Sequence, residues 1–72
     1  MSVHEFAAIR TQIESRVLSK TGSQLSDLGI ELTPDMVRLL GRSSTYYVKQ
    51  LAQHCVREFL PNVRLVNDIA VA

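Results

Sequence analysis

Apolar residues recur at three spacings along this chain, and each spacing predicts an element. Phe6, Ile9, Ile13 and Val17 step by three and four, as side chains on one flank of a helix do, while Arg10, Gln12, Glu14, Arg16 and Lys20 take the wetter sides. The period then drops to two. Leu28, Ile30 and Leu32 alternate with polar or small residues, and so do Val37 and Leu39 with Gly41 next in register. Val48, Leu51, Ala52, Cys55 and Phe59 return to helical spacing, and Val63, Leu65, Ile69 and Val71 close the chain on alternation. The pattern predicts a helix over 3–19, strands over 28–33 and 36–41, a helix over 44–60 and a strand over 63–71.

The residues between these runs are punctuation. Ser2 and Glu5 have the spacing of a capping box, and Thr21-Gly22-Ser23 offers a glycine to end the first helix in the left-handed conformation. Thr33-Pro34-Asp35 reads as a hairpin turn in which Asp35 bonds its own following backbone. Gly41 ends the second strand, Ser43 or Ser44 caps the second helix, and Pro61 stops it. The expected fold is α+β: a two-layer sandwich of order α-β-β-α-β, with a three-stranded mixed sheet and both helices on one face. Strict alternation then sends Glu31, Met36, Arg38, Leu40, Arg42, Arg64, Val66 and Asp68 to the other face, which two helices do not cover. It turns Asn67 inward, where its amide needs buried partners or a bend in the strand.

Composition narrows the classes. A chain of 72 residues is one domain, and it buries only ~60% of its unfolded surface. A single cysteine forms no internal disulfide framework, and the absence of a leader-like segment after Met1 makes a reducing, cytoplasmic setting the expectation. No apolar run approaches the ~20 residues of a membrane span. A net charge of +1 gives little general attraction to nucleic acid, so the distribution of the eight basic residues matters more than their sum.

Three segments carry a resemblance. Val37-Arg38-Leu39-Leu40-Gly41 is similar to a V-x-L-x-G strand, Lys49-Gln50-Leu51-Ala52 stands where a helix begins, and Val66-Asn67-Asp68-Ile69-Ala70-Val71 looks like a closing V-N-x-I-x-V strand. Together, over about residues 28–71, they resemble the BON domain, a small bacterial α/β module. Where that family usually has Gly-Val before its last strand, this chain has Pro61-Asn62-Val63, with Asn62 as the residue tolerant of a left-handed turn. The resemblance implies a noncatalytic module that binds phospholipid surfaces, small solutes or other proteins. Members of the family are often exported.

No catalytic motif competes with this. His54 and Cys55 are neighbours, so on a helix their side chains diverge by about 100° and share neither a metal nor a proton relay. His4 is distant, no second Cys completes a ligand set, and no cofactor or metal is expected. Gly41-Arg42-Ser43-Ser44-Thr45 leads into a helix, where Ser43 and Ser44 are the candidate contacts for an anion, yet neither glycine-rich phosphate motif is present. Of Tyr46 and Tyr47, one ring is expected on the core and one at the surface.

The candidate site is therefore the uncovered sheet face, with Arg38, Arg42 and Arg64 interleaved with Met36, Leu40 and Val66. It suits a solvated surface, a self-complementary or other protein interface, or an anionic lipid surface, where each basic residue contributes about 1 kcal/mol. The alternative is a KH-like nucleic-acid module, for which the Gly-x-x-Gly clamp is missing.

Overall fold

The computed structural model describes residues 3–72, so the capping box that needs Ser2 lies outside the described residues. The order is α1 (Val3–Thr21), a single 3-10 turn (Gly22–Gln24), β1 (Leu25–Leu32), β2 (Met36–Ser43), α2 (Tyr46–Phe59) and β3 (Arg64–Val71). This is the expected α-β-β-α-β order. β2 is central, paired antiparallel with β1 and parallel with β3, so the chain after β2 crosses over through α2 and returns beside the same strand.

One core joins both helices to one sheet face. Ile13 and Val17 of α1, Val48, Ala52, Cys55 and Val56 of α2, and Leu25, Ile30, Val37, Leu39 and Ile69 of the sheet are buried together. Ile9, Leu28, Leu32, Leu60, Val63 and Leu65 pack around them. The Arg16–Glu58 pair, 3.3 Å apart, spans the two helices, but both partners are half exposed and such pairs add little. Four expected core residues fall short: Phe59 and Val71 are exposed, Phe59 bordering a surface groove with Thr11, Gln12, Ser15 and Arg16, while Phe6 and Leu51 are half-buried outside this cluster.

The element ends differ from expectation in informative ways. Gly22 is left-handed at φ 58°, as a helix stop requires, yet α1 runs two residues beyond 19 to reach it. β1 starts at Leu25 rather than 28 because a bulge separates Ser26 from Gly29, with Asp27 left-handed at φ 55°. The bulge shifts the parity of the strand, so Leu25 and Ile30 both face the core. β2 does not end at Gly41 but continues through it to Ser43. The hairpin between β1 and β2 is closed by Thr33 N–H donating to the Met36 carbonyl (2.9 Å), and the Thr33 hydroxyl, not Asp35, accepts from Met36 N–H (3.1 Å).

α2 opens at Tyr46 rather than 44, with its cap one residue beyond Ser44 and two beyond Ser43. Thr45 is its cap, with Oγ1 accepting from Val48 N–H at 3.2 Å. Tyr46 and Tyr47, in the first turn, are both on the surface, 62% and 70% exposed, so neither ring packs on the core. At the far end Asn62 does not adopt a left-handed conformation, since Asp27 is the only non-glycine residue with positive φ among those described. The turn is held instead by Arg57, whose guanidinium donates to the carbonyls of Val63 (2.7 Å) and Pro61 (3.4 Å).

Asn67 faces α2 without any break in the β2–β3 register. Its Nδ2 donates to the Lys49 carbonyl (3.0 Å) and to Gln53 Oε1 (3.2 Å), and its Oδ1 accepts from Ile69 N–H (3.2 Å). The amide thus stitches the last strand to the second helix. Asn67→Ala is expected to cost about 1–2 kcal/mol, read as a lower urea midpoint at unchanged slope; an unchanged midpoint would mean that water replaces all three bonds.

Candidate functional site

The sheet face opposite the helices is uncovered, and register determines what it displays. Across the three strands the pairs place Met36 beside Arg64, Glu31 beside Arg38 and Val66, Gly29 beside Leu40 and Asp68, and Ser26 beside Arg42 and Ala70. Met36, Arg38, Leu40 and Val66 are half-buried, while Arg42 and Arg64 are exposed. The residues predicted for this face therefore do share it.

They do not form one basic patch. Arg38 Nε donates to Asp68 Oδ2 at 2.8 Å, and its Nη1 lies 3.4 Å from Glu31 Oε1, so a carboxylate from each flanking strand closes on the central guanidinium. The Asp68 hydrogen bond first, then the charges of Asp68 and Glu31, push the Arg38 pKa above its ordinary value. Arg64 stands opposite Met36, six residues before Arg42 along the parallel register, which separates their backbones by ~20 Å. Among the described residues, the face has a centre where two carboxylates outnumber one guanidinium, set in an aliphatic stripe with an unpaired cation at each end.

Leu40 owes its access to the residue beside it. A Cβ on Gly29 would lie 3.6 Å from Leu40 Cβ, so the bare backbone at Gly29 leaves that flank of the leucine open. The signal in the sequence was the glycine itself, but only the register shows which side chain it uncovers.

Ser43 and Ser44, the candidate anion contacts, are placed differently. Ser43 is the last residue of β2, buried, with its hydroxyl donating to the Thr45 carbonyl at 2.8 Å. Ser44 is exposed and lines a shallow groove with Ser23, Gln24, Ser26, Arg42 and Ser43, while the α2 cap is provided by Thr45.

Cys55 is buried in the core beneath α2, with His54 exposed beside it. No group of three or more His, Cys, Asp or Glu is arranged to hold a metal ion among the described residues. Burial, and then the Glu58 charge, raise the Cys55 thiol above its ordinary value near 9.0. A raised folded-state pKa means that the native thiol holds its proton where the unfolded thiol has lost it. Its contribution is therefore whole below pH 9.0 and declines as pH climbs through the folded value. The wild type is expected to lose stability above that pH faster than Cys55→Ala in urea titrations; parallel pH profiles would show that the thiol is not the titrating group.

No described helix is long and apolar enough to cross a membrane. No protein-family model matches the chain, and no curated protein and no solved structure matches it either.

Proposed function

We propose that this chain is a noncatalytic docking module that binds protein through its open sheet face, a second copy of itself being the simplest partner. The observation that supports this reading is the Arg38 clamp. The Arg38 guanidinium enters an interface already hydrogen-bonded, so no bare cation is taken from water, and the one negative charge that its two carboxylates leave over stays half exposed. Met36, Leu40 and Val66 around it supply the apolar contact, and Arg42 and Arg64 belong at the rim, where charges direct approach more than they add affinity.

The same geometry weakens the lipid reading. Membrane attraction counts free cations near one surface, and here one of three is internally paired while the other two stand ~20 Å apart, roughly two and a half screening lengths at physiological salt.

Sedimentation equilibrium over a range of concentrations, followed by flotation of the same sample with neutral and anionic liposomes at low and high salt, tests the proposal. The expected result is a concentration-dependent dimer that ignores both vesicles, with Leu40→Asp weakening the dimer at least about tenfold. A monomer that floats only with anionic vesicles at low salt would overturn it in favour of a lipid surface. A dimer indifferent to Leu40→Asp would move the interface off this face.

A further inference from the structure

A three-stranded sheet has two edges, and this one closes them unequally. On β3 the N–H of Ala72 donates to the Ser43 carbonyl (3.0 Å), which sets the phase: even-numbered residues of that strand bond towards β2 and odd-numbered ones point outwards. Ile69 N–H therefore belongs to the outer edge, and Asn67 Oδ1 already occupies it at 3.2 Å. The middle of that edge is blocked by a side chain of the strand itself.

On β1 the phase is set by Thr33 N–H and the Met36 carbonyl. Gly29 and Glu31, opposite Leu40 and Arg38, bond to β2, so Ile30 and Leu32 between them turn N–H and C=O to the outside. The bulge at Asp27 bends the beginning of this edge away, and Pro34 follows its end. Between these two devices, and among the described residues, the backbone of residues 30–32 carries neither the bulge, the proline nor the side-chain hydrogen bond that normally protects a free strand edge.

A groove of about 530 Å³ lies beside that stretch, lined by Phe6, Ala7 and Arg10 from α1 and by 30–33 and Met36 from the hairpin. The early turns of α1 thus flank the late residues of β1, and the two elements run in opposite directions. Arg10, one turn after Phe6, is then level with Ile30, each about 17 Å from the turn that joins helix to strand. Arg10 takes part in none of the ion pairs among the described residues, whereas Glu31 in the same groove is held by Arg38.

We infer that this edge and groove form a strand-addition site for an extended protein segment carrying an aliphatic residue and, two positions away, an acidic one. Alternate side chains of an added strand face the helices. Beside Leu32 such a side chain enters between Phe6 and Ala7, which calls for an aliphatic group. Beside Ile30 it meets the guanidinium of Arg10, which calls for a carboxylate. The groove meets the sheet face proposed above as a docking surface at Glu31 and Met36 and leaves Leu40 and Val66 out, so Leu40→Asp reads the face without touching the groove.

The probe is a fluorescein-labelled octapeptide in which threonine alternates with valine and aspartate, compared by anisotropy with its counterpart bearing lysine for aspartate. The aspartate peptide is expected to bind about tenfold tighter, and Arg10→Glu to reverse the preference. Backbone N-methylation of alternate peptide residues is expected to abolish binding in one phase and spare it in the other, because only one set of amides faces β1. Equal loss in both phases, equal binding of the two peptides, or no binding at millimolar peptide would each overturn the inference. Failure of both peptides together with a dimer dissolved by Leu32→Pro and not by Leu40→Asp would give the edge to a second copy of the chain. Anisotropy and sedimentation are read separately, so this result stands apart from that of the sheet face.

Discussion

Gly41→Ala is expected to lower the unfolding free energy by about 2–3 kcal/mol, although it adds a single methyl group to a half-buried strand position. Gly41 has φ 152°, a conformation that side-chain-bearing residues rarely adopt, and an added Cβ would stand 3.0 Å from the Ser26 carbonyl oxygen. The Asp27 carbonyl and Leu25 Cδ1 lie 3.5 Å from the same point. None of the three yields easily, because the first two atoms are backbone of the bulge and the third belongs to a core leucine. The bulge and the glycine are thus one feature, with Asp27 and Leu28 on β1 opposing Gly41 on β2. Asp27→Gly provides the contrast. It relieves a left-handed aspartate while loosening the unfolded chain, so a net change below about 1 kcal/mol is expected. Urea titration reads both, and a Gly41→Ala midpoint equal to wild type would show that the bulge is absent in solution.

That pairing also explains where the sequence was silent. Alternation made the cores of β1, β2 and β3 legible from 28 onwards, because each inward residue there is two from the next. Leu25 breaks the parity of Ile30 and Leu32, and no periodic pattern registers a strand whose two halves are out of phase. Gly41 was legible as a residue with special backbone needs, but its meaning as a strand end rested on glycine's poor packing. Its actual role depends on what lies across the ladder. The helix start shows a smaller version of the same limit: Ser43, Ser44 and Thr45 are all competent caps, and the choice of Thr45 also sends both Tyr46 and Tyr47 to the surface.

The candidate face divides along the same line. Which residues share it follows from period two within each strand, so Met36, Arg38, Leu40, Arg42, Arg64 and Val66 were readable one strand at a time. Which of them touch is a property of register between strands. Glu31 and Asp68 lie seven residues before and thirty after Arg38, and only the pairing of β1, β2 and β3 brings both carboxylates to one guanidinium. Asn67 shows the converse. Its inward direction was legible, and its partners Lys49 and Gln53 became assignable only once α2 was known to lie over β3.

Leu39→Ala and Leu40→Asp, at adjacent positions, are expected to fail in different ways. Leu39 is fully buried at the centre of the sheet and surrounded by the core of both helices, so its truncation removes apolar contact and leaves a cavity, at a cost of about 3–5 kcal/mol. A domain of this size holds roughly 4–11 kcal/mol in all, so this variant is expected to lose a large share of its stability and to melt at least about 12 °C lower. Leu40 points the other way, half-buried beside Gly29 and Asp68 on the open face. Leu40→Asp puts a third carboxylate next to Asp68 and Glu31 on an already wet surface, so its thermal midpoint should move little while self-association weakens at least about tenfold. Far-ultraviolet circular dichroism against temperature separates the two variants before any binding is measured. If Leu40→Asp destabilises the domain as Leu39→Ala does, the face is part of the core rather than a surface for docking; if it melts and sediments as the wild type does, the docking surface lies elsewhere on the molecule.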